Sequence, residues 1–139
     1  MKQQMLQDFE RAHNRMLRAA QDAFARSVVL PNGWGAWEVI AHIAAWEVEG
    51  SQRIPALLAG ASSKDYDTTE FNANALAQAQ GQMFEQLEAA LRQSHQRLIS
   101  LLDALDARHF NDGGLVHDWM LASINHSNEH AQALEEAGS

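Results

Sequence analysis

Cysteine is missing from all 139 positions, which excludes disulfides, thiolate ligands and a cysteine nucleophile together. Histidine and carboxylate are left to carry site chemistry, and any thiol reaction must draw its thiol from a small molecule. Basic residues are scarce: 10 against 18 acidic ones give a formal net charge of −8, which repels nucleic-acid phosphates and anionic bilayers. No nucleic-acid partner is expected. Long apolar runs are absent too, since nothing approaches the ~20 residues of a membrane span. The first residues, MKQQMLQDFERAHNRM, lack the apolar core of a signal peptide. A cytoplasmic location and no membrane partner are expected. Proline occurs only twice and tyrosine once, as Tyr66.

What is present favours helices: Ala, Leu and Gln recur throughout, and apolar residues fall at helical spacing. Met5, Phe9, Ala12, Met16, Ala20 and Phe24 predict a first helix over about 3–26. After Leu30-Pro31-Asn32-Gly33, a second helix starts with Gly35 as N-cap and Glu38 as its acidic third residue. Its face carries Val39, His42, Ile43, Trp46 and Gly50, and Pro55 predicts an end near Arg53. A turn over 56–59 and a polar loop over 60–67 follow, the loop being placed to cover a site. The segment 69–80 is weakly helical. Phe84, Leu87, Leu91, Leu98, Leu101 and Leu105 then mark the third long helix, and a last one spans about 115–137. No linker or repeat divides residues 1–139, so the expected fold class is all-α, one antiparallel four-helix bundle with its site between facing helices.

The last helix contains His126 and His130, four residues apart and therefore one turn apart on one face, a spacing from which both imidazoles can reach one ion. They fall in a stripe with Trp119, Ala122, Ser123 and Leu134 that a bundle is expected to turn inward. His42 lies in the inward stripe of the second helix. Three histidines can thus converge as a metal site, or each can be a separately satisfied core residue. His95 is the one competing ligand, while His13, His109 and His117 are expected at the surface. Trp34, Trp37, Trp46 and Trp119 are bundle fillers, with Trp46 and Trp119 also placed to wall a pocket. Glu47 and Glu129 are expected to be solvated. Glu49, two turns after His42, is the candidate acid–base carboxylate.

The stretches GWGAWEVIAHIAAWE (Gly33 to Glu47) and HDWMLASINHSNEHAQAL (His117 to Leu134) resemble the DinB/YfiT-like superfamily, and within it the ClbS/DfsB branch. The shared features are Trp34, His42, Trp46 and Glu47, the Phe71-Asn72 pair, and His126 with His130. Gly35 departs from the Ser or Thr cap common in that branch. The resemblance implies a four-helix bundle and a divalent ion held by His42, His126 and His130. It also implies chemistry that varies among relatives, including thiol-dependent transfer and hydrolysis of a reactive natural product.

Three neutral imidazoles suit Zn²⁺ or Ni²⁺ and leave the ion's charge free to activate a water or a thiol. The expected function is a metal-dependent hydrolase or thiol transferase acting on a small organic molecule, with a low-molecular-weight thiol as a candidate cosubstrate. The competing expectation is a bundle that binds or sequesters a small molecule without turnover. A small bundle can also pair as a homodimer, although no isolated apolar stripe demands it. Metal affinity is expected to collapse as these histidines protonate below about pH 6.

Overall fold

The computed structural model describes all residues, 1–139. Five helices and no strand make up the chain: α1 (Lys2–Ala25), α2 (Ala36–Leu58), α3 (Thr68–Gln78), α4 (Phe84–Asp103) and α5 (His117–Ala137), with a 3₁₀ turn at Ala107–Phe110 before α5. The four long helices form the bundle; α1 packs along α5, α2 packs along α4, and α3 rests on α2. None of the helices is long and apolar enough to cross a membrane.

Local chemistry sets the starts. Gly35 begins α2 with its N–H donated to Glu38 Oε1 at 2.8 Å, and Asp67 caps α3 by accepting the Glu70 N–H at 3.0 Å. α2 does not stop near Arg53 as its proline predicts. Pro55 lies on the exposed side of the last turn, where the Ser51 carbonyl it leaves without a donor can face water. Meanwhile Ile54 is fully buried and Leu58 packs beside it, so apolar contact carries the helix through the proline.

Two apolar clusters fill the bundle. One gathers Met16, Val39, Ile40, Leu91, Ala131 and Leu134, the other Phe9, Ile54, Leu98, Leu102, Met120 and Ile124. The buried polar residues His13, Glu47, Ser94, His95 and Ser127 lie in sequence between members of the two clusters on their own helices. A polar layer therefore crosses the bundle near mid-height. His13 and Glu47 belong to this layer and are not surface residues as expected. Phe24 shows the reverse error: it is 53% exposed, its ring stacked on Phe84 at the margin of the core.

Adjacent glycines before α5 do different jobs. Gly113 has φ +79°, a left-handed conformation with open space around it. A Cβ on Gly114 would stand 2.3 Å from the His109 carbonyl oxygen. Gly113→Ala is expected to cost about 1–2 kcal/mol of backbone strain, and Gly114→Ala more, because backbone must move. Urea unfolding of the two variants checks the order.

Candidate metal centre

His42 projects from α2, and His126 and His130 from successive turns of α5. Their Nε2 atoms form a nearly equilateral triangle, 3.1 Å from His42 to His126, 3.0 Å from His42 to His130 and 3.0 Å between the α5 pair. His42 Nδ1 lies 3.2 Å from the Glu38 carbonyl oxygen. A carbonyl only accepts, so Nδ1 carries the hydrogen and His42 Nε2 presents a lone pair to the triangle. Tetrahedral ligation at about 2.0–2.1 Å spaces nitrogens roughly 3.3 Å apart. The triangle matches that within a few tenths of an ångström, so the donors present fit a divalent ion.

Burial keeps the three rings neutral, each with one N–H and one lone pair. His42 is 1% exposed, and burial first, then its two histidine neighbours, push it down to about 3. Burial and His126 push His130 down to about 4. Burial lowers His126 as well, opposed by Glu129. All three are neutral at pH 7, the form in which an imidazole can hold a metal.

The inward face of α5 differs from the expected stripe. Met120, Ile124, Ser127, Ala131 and Leu134 are the buried residues, while His126 and His130 are half-buried on its flank and Ala122 is exposed. That offset leaves the centre open on one side. A pocket of about 280 Å³ adjoins it, lined by Trp46, Trp119, Asn72, Thr68, Ser123 and His126. Trp46 is fixed by stacking on Phe71 at 3.9 Å and by donating Nε1–H to Asn72 Oδ1 at 2.9 Å. Trp119 lies over Gly50, where a Cβ would stand 2.8 Å from its Nε1.

Glu49 does not join the nitrogen triangle. Its Oε2 accepts the Tyr66 hydroxyl at 2.5 Å, with Lys64 Nζ 4.0 Å away. Burial and the Glu49 carboxylate hold the phenol well above the ordinary tyrosine range. Tyr66 also meets Trp46 and Trp119 edge-on at 5.1 and 6.1 Å, so the polar loop contributes an aromatic wall that its composition did not announce. His117 contacts Asp112 and Asp118 away from this centre.

The profile of the DinB superfamily matches residues 4–134. The chain belongs to the DinB superfamily. Neither curated proteins nor solved structures gave a match. For this DinB-superfamily chain, all four long helices and all three imidazoles lie within or overlap the matched span.

Acid sensitivity follows from the lowered histidines. An unfolded chain takes up protons near pH 6.5, whereas folded His13, His42 and His130 stay neutral until about 3, 3 and 4. Stability present above pH 6.5 is therefore lost as pH falls toward 3. Buried Glu47, raised by burial against the pull of His95 and Ser94, works in the opposite direction. The urea midpoint of metal-stripped protein is expected to fall steadily from pH 7 to 5. A flat profile over that window would contradict the burial of these rings.

Proposed function

We propose that this DinB-superfamily protein is a divalent-metal-dependent enzyme of the ClbS/DfsB type, which acts on a small organic molecule by hydrolysis or thiol transfer. One observation carries the reading: three imidazole nitrogens, one of them fixed as a lone pair by the Glu38 carbonyl, converge within 3.1 Å beside an aromatic pocket. His42, His126 and His130 would hold the ion, Zn²⁺ or Ni²⁺ being the best matches to three imidazoles. When bound, such an ion supplies Lewis acidity toward a water or a thiol.

The chain's own residues do the rest. Trp46 and Trp119 flank an apolar slot for the substrate body, while Asn72 and Ser123 offer the few polar contacts that orient it. Glu49 is the acid–base group, and its proton traffic runs through the Tyr66 hydroxyl that it accepts from at 2.5 Å. Tyr66 and its loop shield that side of the slot from water.

Elemental analysis of tagless protein tests the reading. The His126→Ala/His130→Ala variant is expected to hold about one divalent ion fewer per chain than the parent. It should also lose turnover of electrophilic small molecules, assayed with and without a low-molecular-weight thiol. Equal metal content in both proteins after incubation with Zn²⁺ and Ni²⁺ would overturn the proposal.

The same centre should resist acid better than ordinary histidines allow. Protons compete only as the imidazoles approach their lowered values of about 3 and 4 at His42 and His130. Calorimetric Zn²⁺ titrations are expected to show binding largely kept at pH 5.5 and lost near pH 4. Release already complete at pH 6 would mean that the rings are solvated.

A further inference from the structure

The polar layer inside the bundle contains a second convergence of ligand groups on different helices. A ring nitrogen of His13 (α1), one of His95 (α4) and a carboxylate oxygen of Glu47 (α2) lie within 4.8 Å of one another. The three residues are only 6%, 6% and 5% exposed. His95 Nδ1 is 3.6 Å from Glu47 Oε1, too far for a hydrogen bond, and Ser94 Oγ donates to the other oxygen at 3.1 Å. His13 Nδ1 and both nitrogens of His95 are buried with no hydrogen-bond partner. Unmet polar atoms of that kind are costly to bury, and one nitrogen of each ring lies near the Glu47 carboxylate.

We propose that His13, His95 and Glu47 form a second divalent-metal site, separate from the triad on α2 and α5. Two imidazoles and one carboxylate are a recurrent donor set for divalent transition ions, Zn²⁺, Fe²⁺ and Mn²⁺ included. It differs from the triad by one negative charge, which accommodates the harder ions that three imidazoles hold weakly. Bundle cores build such sites from side chains on facing helices, and here three helices contribute one ligand each. A cleft of about 330 Å³, bordered also by Arg18, Arg92 and Gln96, reaches His13 and His95 from the surface.

Ligation has a geometric requirement. The His13 and His95 rings are stacked, with centroids 3.7 Å apart and planes 10° from parallel. An imidazole holds an ion in its own plane, and two parallel planes share no such point. Binding therefore turns one ring out of the stack, into the cleft beside it, and one nitrogen of each ring gains a partner.

Zn²⁺ titration of metal-stripped protein, followed by nitrogen-15 NMR of the histidine rings, tests this directly. In the His126→Ala/His130→Ala variant the ring nitrogens of His13 and His95 are expected to shift saturably with about one equivalent of Zn²⁺. Adding Glu47→Gln should weaken that response at least about tenfold. If the double variant fails to fold, the same two rings are followed in the parent, where they report on this site whatever happens at the triad. His13 and His95 signals that do not move up to ~1 mM Zn²⁺, a concentration that saturates all but very weak sites, would overturn the proposal. So would a response that Glu47→Gln leaves unchanged in circular-dichroism-verified folded protein. Zn²⁺ held at a surface pair such as His117 and Asp112 leaves the two buried rings unmoved and counts as that negative result.

Discussion

Three imidazole nitrogens face one another at 3.0–3.1 Å in a region poor in water, and His42 presents a lone pair to the other two. That lone pair is satisfied by an N–H of His126 or His130, or by a cation at the centre of the triangle. The Glu38 carbonyl sets this polarity, because it keeps the hydrogen of His42 on Nδ1. Most other features of this region serve that convergence. Gly50 makes room for Trp119, Asn72 and Phe71 lock Trp46, and the offset of α5 leaves the triangle reachable from one side.

The core answers to the same constraint. Burying His13, Glu47, Ser94, His95 and Ser127 in one layer divides the apolar packing into two clusters. A bundle of this size could have been filled with leucine at each of those places. Retaining polar groups there sacrifices stability, and such layers are commonly kept for register or for ligand binding.

Helix number, most helix boundaries and the three converging histidines were legible in the sequence, because each rests on a short-range period. Errors arose where residue type was allowed to outvote that period. His13 falls at helical spacing with Phe9, Met16 and Ala20, His95 with Leu91, Leu98 and Leu102, and Glu47 with Ile43 and Ile54, so each occupies a core position. Polarity suggested a surface for two of them, and the spacing was the better guide. Pro55 misled in a similar way: a local rule on helix ends lost to the burial of Ile54. The reach of Tyr66 into the aromatic slot was not legible, since no periodicity orders a loop. As for α5, a stripe displaced by one residue separates a buried ligand from a half-buried one, and sequence spacing alone does not resolve that difference.

The pairing of helices gives the centre a mechanical character. α1 lies along α5, tied further by Arg15 to Glu135 and by Arg26 to the carbonyl of Gly138, while α2 lies along α4. The histidine triangle takes one corner from the second pair and two from the first, so it straddles the seam between two half-bundles. An ion held there would act as a clasp across that seam. Sliding of one half against the other would stretch two of the three ligand distances and spare the third, which lies wholly on α5. Grip on an ion and alignment of the halves would then be one quantity.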